Sequence, residues 1–463
     1  MTTARPLPDV VWDDTLIRKY NIKGPRYTSY PTAVQFHDIS AMEAEHHLMQ
    51  QQAAGPMSLY IHIPFCRHLC YYCGCNKIAS KSVRQADEYL DRLALEMANT
   101  SRFFGQRTIT QLHLGGGTPT FLNEAQMSRL LDLVSRNYQW RPDAVAGEYS
   151  IELDPRETSP EMLKLLRERG FNRLSFGIQD FNEATQIAIH RVQPLGLVQP
   201  LIEQSRDLAF ESLNFDLIYG LPHQTPTTFA ETLEQVIELN PDRISLYNYA
   251  HLPERFPAQK RLGLIGLPNP ETKLQLMQLA ITRLQDAGYR YIGMDHFARA
   301  DDSLCKALDE GTLQRNFQGY ATQAETDMLA LGVSGISQIG GAILQNHTDL
   351  EHYQNRIDNG QLAIRRGFWL SEDDTVRRAA INALSCQGYL NFADFDRQNG
   401  VNSRQYFSSS LNQLKKLQAD GLVHINSQAV AVTELGRLLL RPILMAFDAY
   451  LDESNQNAFS KVL

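Results

Sequence analysis

From about residue 58, short β-rich runs alternate with longer helical stretches, and this alternation limits the possible folds more than any other feature of the chain. The strand-like runs are "SLYIHI" (58–63), "ITQLHL" (109–114), "YSIELD" (149–154), "NRLSFGI" (172–178), "LNFDLIYG" (213–220), "DRISLYN" (242–248) and "YRYIGM" (289–294). They are rich in Ile, Leu, Tyr and Val and are short enough for strands. Between them, stretches such as "DEYLDRLALEMA", "MSRLLDLVSRN", "EMLKLLRERG" and "KLQLMQLAITRLQDAG" repeat apolar residues at three- and four-residue spacing. The last two end on Gly170 and Gly288, residue types suited to stopping a helix. Regular strand–helix alternation predicts a parallel sheet joined by crossover helices. About six repeats predict a complete or partial β/α barrel, with an open doubly wound sheet as the alternative. In either fold, chemistry belongs at the C-terminal ends of the strands. The cysteine loop, "GGGTPT", "LDPRE", "GIQD" and "YGLP" all fall there.

The flanks read differently. "YNIKGPRYTSYPT" (20–32) carries proline, glycine and three tyrosines and predicts an extended arm. After about residue 370 helices dominate, and two apolar runs separated by "NSQ" predict a hairpin followed by a closing helix. The division expected is an arm and lead-in helix over 1–50, the β/α unit over 51–365 and a small, mostly helical domain over 366–463. Helices followed by a hairpin also suit a winged helix that binds DNA. Residues 370–463, however, hold nine Lys or Arg against ten Asp or Glu, which is no basic footprint. The whole chain of 463 residues has a net charge of −8, which again argues against a nucleic-acid partner. No apolar run approaches the roughly 20 residues of a membrane span, and the first residues lack a signal pattern. A cytoplasmic protein with no membrane partner is the expectation.

Four of the six cysteines lie between positions 66 and 75. Cys66, Cys70 and Cys73 have the spacing C-x3-C-x2-C on a loop directly after a strand, so one loop can wrap three thiolates round one centre. Structural zinc wants four ligands, usually from two separated pairs, and Cys305 and Cys386 stand alone. Cys75 or His68 would close a zinc site only by a very tight loop. An iron–sulfur cluster is the reading the spacing favours. With three protein ligands on a four-iron cluster, one iron stays open to a small molecule. A redox pair or buried thiols are the third reading.

"LHLGGGTPT" (112–120) follows the second strand. Its three glycines allow close backbone approach and expose N–H groups, but the spacing is neither that of a dinucleotide fold nor that of a P-loop. Alone, a tight turn is the plainer reading; coming one strand after the cysteine loop, the run is a candidate cradle for the polar end of a cofactor. Glu152 and Asp216, at strand ends, suit hydrogen bonds from ribose hydroxyls, though caps and ion pairs are the plainer roles. Arg191 suits a carboxylate through its fork of donors, or is an ordinary helix charge.

Taken together, the cysteine spacing and GGGTPT resemble the radical S-adenosylmethionine (SAM) enzymes. More narrowly the chain resembles the oxygen-independent coproporphyrinogen III oxidase family. The likeness runs through "GPRYTSYPTA", "YIHIPFCRHLCYYCGCNKI", "IELDPRE", "FNRLSFGIQDFN", "NFDLIYGLPHQT", "YNYAHLP", "GMDHFARADD", "RNFQGY", "TDMLALGVSGIS" and "GRLLLRPILMAFDAYL". The resemblance implies an α/β fold: a partial (β/α)6-type barrel with an N-terminal arm and a small helical C-terminal domain, the appendages covering the barrel mouth. It implies a [4Fe–4S] cluster on Cys66, Cys70 and Cys73, with Cys75 not a ligand. It also implies two SAM molecules. The first would contact Tyr60, Gly116, Glu152 and Ile336; the second would contact Gly117, Thr118, Gln179, Arg191, Asp216 and Ala250. The implied reaction converts two propionates of coproporphyrinogen III to vinyl groups in haem biosynthesis, through a 5′-deoxyadenosyl radical. No acid/base pair is expected, because hydrogen abstraction needs positioning more than a tuned pKa. An electron donor of unknown identity and a monomeric state also follow. Lys23, Arg26 and Arg299 are candidate partners for the substrate carboxylates, and Tyr71 and Tyr72 candidate shields of the cluster. A haem-binding chaperone of the same superfamily is the alternative; such relatives generally lack the fourth cysteine and the "GPRYTSYP" arm. A zinc-stabilised nucleic-acid-binding protein is the more distant one.

Overall fold

The computed structural model describes residues 10–51, 55–144, 146–317, 319–322 and 326–451. It divides into two compact units. One comprises His37–Met277 and Thr326–Trp369; the other comprises the described residues of Met1–Phe36, Gln278–Glu325 and Leu370–Leu463.

The first unit is built on six strands: β1 (Met57–Ile63), β2 (Ile109–Gly116), β3 (Glu148–Leu153), β4 (Arg173–Gln179), β5 (Ser212–Tyr219) and β6 (Arg243–Asn248). They coincide with the first six sequence-predicted runs to within two residues at each end. Each pairs in parallel with the next in chain order, without reversal. A doubly wound sheet would reverse its strand order part-way, so the singly wound barrel-type arrangement is the one formed. β1 is buried along almost its whole length, as a parallel strand covered on both faces should be. The crossovers include α1 (Val83–Phe104), α2 (Glu124–Asn137), α3 (Pro160–Glu168), α4 (Leu195–Asp207) and α5 (Pro226–Leu239). On α1, Tyr89, Leu90, Leu93, Met97, Phe103 and Phe104 form the buried stripe that the helical spacing encodes, and Glu96 lies on that same stripe. After α3 the chain turns on Gly170 at φ +93°, a left-handed conformation that favours glycine.

Sequence patterning does not foresee the other edge of the sheet. β7 (Asp327–Leu331) pairs in parallel with β1 on the side away from β2. β8 (Ile336–Ile339), β9 (Ala342–Asn346) and β10 (Ile364–Trp369) then continue outward as an antiparallel meander. The loop between β7 and β8 therefore lies beside the C-terminal end of β1.

In the second unit, the seventh sequence-predicted strand, Tyr289–Gly293, folds back antiparallel on His296–Arg299. Only two residues separate them, which permits a hairpin and forbids a parallel crossover. Residues 21–32 of the arm carry no helix. The "NSQ" hairpin is present as Val423–Ile425 against Ala429–Val432, and the closing segment as Glu434–Leu438 and Leu440–Met445. Among the described residues, no helix is long and apolar enough to cross a membrane.

Candidate active site

The cysteine loop leaves β1 through a short strand, Phe65–Cys66, that pairs with Ile78–Ala79. Its base is closed by Ile78 N–H on the Pro64 carbonyl (2.7 Å) and Ser80 N–H on that of Cys66 (2.9 Å). Midway, Tyr71 N–H donates to the Ile189 carbonyl (3.0 Å), and the Tyr71 ring stacks on His190 with centroids 4.9 Å apart. Arg261 covers Tyr71, 4.6 Å from its ring centroid. Tyr72 packs against Ile189, Ile218, Leu221, Tyr249 and Leu262. The loop is thus held at its base and at its middle.

Each of the three sulfurs meets a donor from a different source. The Thr118 hydroxyl reaches Cys66 Sγ at 3.5 Å. Burial pushes the Cys66 thiol up to about 11, and Thr118 tempers that rise. Cys70 Sγ receives Arg156 Nη2 and Arg191 Nη1, each at 3.5 Å. Cys73 Sγ receives the Cys75 N–H at 3.4 Å. The Cys75 side chain and Lys77 hold Cys73 down at about 6 against its burial. His68, a conceivable fourth ligand, is turned to Glu157 at 3.2 Å. Among the described residues no three His, Cys, Asp or Glu side chains gather as a single metal ion requires. Three thiols on one anchored loop, each addressed by an N–H or O–H donor, are a donor set that fits an iron–sulfur cluster, whose ligands gain from such outer hydrogen bonds.

The end of β2 lies against this loop. Gly117 N–H donates to the Ile63 carbonyl at 2.8 Å, and a Cβ on Gly117 would stand 2.6 Å from the Pro64 carbonyl oxygen. Gly116 has φ +121°, and a Cβ there would meet the His62 ring at 2.8 Å. The glycines are therefore required by the close approach of two strand ends. His62 Nε2 donates to the Asn76 carbonyl at 2.9 Å, which leaves Nδ1 to accept the Tyr60 hydroxyl at 3.0 Å. Burial holds His62 below the ordinary imidazole value, in keeping with that neutral form.

Along the strand ends, Tyr60 stacks on His113 with centroids 5.8 Å apart. His113 Nε2 donates to Glu152 Oε1 at 3.3 Å, and Gly116 N–H to Glu152 Oε2 at 3.1 Å. Although burial pushes Glu152 up, these donors hold it below the usual carboxylate value. Asp216 accepts from Ser175 (3.1 Å) and Asn214 (3.0 Å), but burial and the Glu152 charge push it up to about 6. Gln179 sits at a register shift in β4 with φ +66°, a strained position of the kind found at binding sites. The buried Arg191 donates twice to the Gly177 carbonyl (3.1 and 2.7 Å) and once to Asp154 (2.8 Å). Ala250 follows β6 and Ile336 opens β8, both half-buried. All thirteen residues proposed as cluster ligands or SAM contacts thus belong to the first unit. Lys23, Arg26 and Arg299 belong to the second, where Arg26 pairs with Asp295 (3.3 Å) and Arg299 with Asp301 (3.4 Å).

The chain matches the Radical SAM superfamily over residues 60–236 and the HemN C-terminal domain over residues 370–439. An oxygen-independent coproporphyrinogen III oxidase of Pseudomonas aeruginosa is 48% identical over 460 residues, covering 99% of this chain and 100% of the relative. The chain belongs to the oxygen-independent coproporphyrinogen III oxidase family. The family's Escherichia coli member is 48% identical over 453 residues, covering 98% of each chain. The solved structure of coproporphyrinogen III oxidase (HemN) from Escherichia coli, described as a radical SAM enzyme, superposes with a TM-score of 0.90. It has 46% identity and covers 96% of this chain and 100% of its own. In this oxidase family the membership itself implies a [4Fe–4S] cluster and SAM.

Sequence reading passed over several residues at the oxidase site. His62 and His113 alternate with Tyr60 and Gly115 at the ends of neighbouring strands, a pattern visible in "YIHI" and "LHLGG". Asp154 and Arg156 stand in "LDPRE", noticed for its position after β3 but given no role. Nothing in their spacing says that Arg156 reaches Cys70 or that Asp154 joins it to Arg191.

Proposed function

We propose that this protein converts two propionate side chains of coproporphyrinogen III to vinyl groups without oxygen, giving protoporphyrinogen IX. The observation that carries the reading is the match to coproporphyrinogen III oxidases end to end, with the C-x3-C-x2-C loop anchored at the C-terminal end of β1. When bound, a [4Fe–4S] cluster and SAM supply a hydrogen-abstracting radical. Cys66, Cys70 and Cys73 would hold the cluster, and Lys77, donating to the Cys73 carbonyl at 2.8 Å, fixes the loop that carries them. Glu152 and Asp216 offer carboxylate oxygens to ribose hydroxyls, and the strained Gln179 presents its amide at the end of β4. Tyr60, Gly116 and Ile336 would face one SAM; Gly117, Thr118, Arg191 and Ala250 would face a second. Each conversion passes one hydrogen atom from a propionate side chain to the radical and one electron to a separate acceptor, and releases carbon dioxide, so positioning suffices and no general base is required. A cytoplasmic monomer served by a separate electron donor completes the reading.

Anaerobic incubation of the iron-loaded protein with coproporphyrinogen III, SAM and a reductant tests it. Protoporphyrinogen IX should form, and should vanish in Cys66→Ser. Cleavage of SAM without decarboxylation would move the protein to the haem chaperones. Equilibrium dialysis with labelled SAM should reach two molecules per chain; a plateau at one would remove the second site.

A further inference from the structure

Cys70 differs from the other two cysteines of the loop in what surrounds its sulfur. Thr118 and the Cys75 N–H are neutral donors to Cys66 and Cys73, whereas Cys70 Sγ faces two guanidinium groups, Arg156 Nη2 and Arg191 Nη1, both at 3.5 Å. One carboxylate ties the pair together. Asp154 Oδ2 accepts Arg156 at 2.7 Å and Arg191 at 2.8 Å, while Oδ1 accepts the Arg156 Nε and its own N–H, each at 3.0 Å. Arg191 and Asp154 are buried, with side chains 8% and 7% exposed, and Arg156 is largely covered at 12%. Arg191 is held further by the Gly177 carbonyl, and Arg156 reaches the His190 carbonyl at 3.4 Å. Two guanidiniums and one carboxylate leave one net positive charge, shielded from solvent ions, beside a single sulfur.

We propose that Arg156 and Asp154 are positioning residues that set the charge at Cys70 and, through it, the reduction potential of the cluster. The inference rests on Cys70 being a cluster ligand. Reduction adds one electron to the cluster. A net positive charge and charge-assisted N–H donors at a ligating sulfur favour the reduced state and raise the potential. Arg191 is shared between this task and its proposed SAM contact; Arg156 carries only this one. The sign therefore depends on which member of the group is changed. Loss of Arg156 takes the local charge from plus one to zero and lowers the potential. Loss of the Asp154 charge takes it to plus two and raises it.

The test is an EPR-monitored redox titration of the iron-loaded protein, without SAM or substrate, beside iron and sulfide analysis. Arg156→Gln should carry a full cluster with a lower midpoint, Asp154→Asn a higher one, and Arg156→Lys a midpoint near the wild type. A fully loaded Arg156→Gln protein at the wild-type midpoint overturns the proposal. So do shifts of the same sign in Arg156→Gln and Asp154→Asn, the mark of general loosening. If Arg156→Gln takes up no iron, the other two variants decide. Lys near the wild type with Asn higher supports the proposal, and Asn lower overturns it. Cys70→Ser separates the two readings: a full cluster in that variant would remove the ligand assignment itself, whatever the arginine variants show.

Discussion

Replacing Glu96 by glutamine should remove a pH dependence of stability built into the wall of the barrel. Glu96 lies on the core stripe of α1, 4% exposed, and its carboxylate receives three donors from distant parts of the chain. These are Gly332 N–H (2.8 Å), Asn346 Nδ2 (2.8 Å) and the Tyr353 hydroxyl (2.7 Å). Burial outweighs them and raises the carboxyl from 4.5 to about 7. A carboxyl raised on folding binds its proton more tightly in the native state. Its contribution is therefore full below pH 4.5 and is lost as the pH rises through 7. Roughly two and a half pH units, at about 1.4 kcal/mol each, make this about 3.5 kcal/mol. In Glu96→Gln the amide oxygen can still accept from Gly332 and Tyr353, and Asn346 keeps its bond to the Gly332 carbonyl at 2.9 Å, so the fold is retained. Urea unfolding followed by tryptophan fluorescence, from pH 5 to pH 8, should show the wild type losing about 2.5 kcal/mol more than the variant across that range. Asp216 and the other groups common to both proteins cancel in the difference. Parallel curves for the two proteins, whatever their offset, would refute the reasoning. The network also matters for function. Gly332 opens the loop to Ile336, and the Tyr89 hydroxyl, donating to the His62 carbonyl (2.8 Å) and accepting from Val333 N–H (3.0 Å), ties that loop to β1.

Gly117→Ala should cost about 1–3 kcal/mol and reduce iron uptake, because its Cβ meets backbone that cannot yield. Gly196→Ala, which meets nothing within 4 Å, should not; thermal unfolding and iron content compare them. Cys75→Ser should keep iron and sulfide while Cys66→Ser, Cys70→Ser and Cys73→Ser each lose them, and loss of iron in Cys75→Ser would make it a ligand. As the pH falls through about 6, Asp216 takes up a proton and loses acceptor capacity, so the KM for SAM should rise. Asp216→Asn should show a high KM at every pH, and an unchanged pH profile in that variant would assign the titration elsewhere.

The six parallel strands, the loop of cysteines after the first and the glycines after the second were legible in the chain because each is local. A strand declares itself by period and composition over six or eight residues, and C-x3-C-x2-C by spacing within one loop. Their succession favoured neighbours in chain order, but only the strand pairing decided against a doubly wound order. The meander from β7 to β10 was not legible, since its place beside β1 depends on pairing residues some 270 apart, Met57 with Asp327. The strand at Tyr289–Gly293 looked like one more repeat until a two-residue turn made it a hairpin. The same limit applies to the site. Cysteines, Glu152 and Asp216 could be nominated by type and position at strand ends. That Arg156 reaches Cys70 across 86 positions, or that Glu96 gathers donors 236, 250 and 257 positions away, is decided only when the barrel closes these distances. Residue type and local spacing carry what the chain can ligate; the charge and burial that tune those ligands come from contacts between segments, which no local pattern encodes.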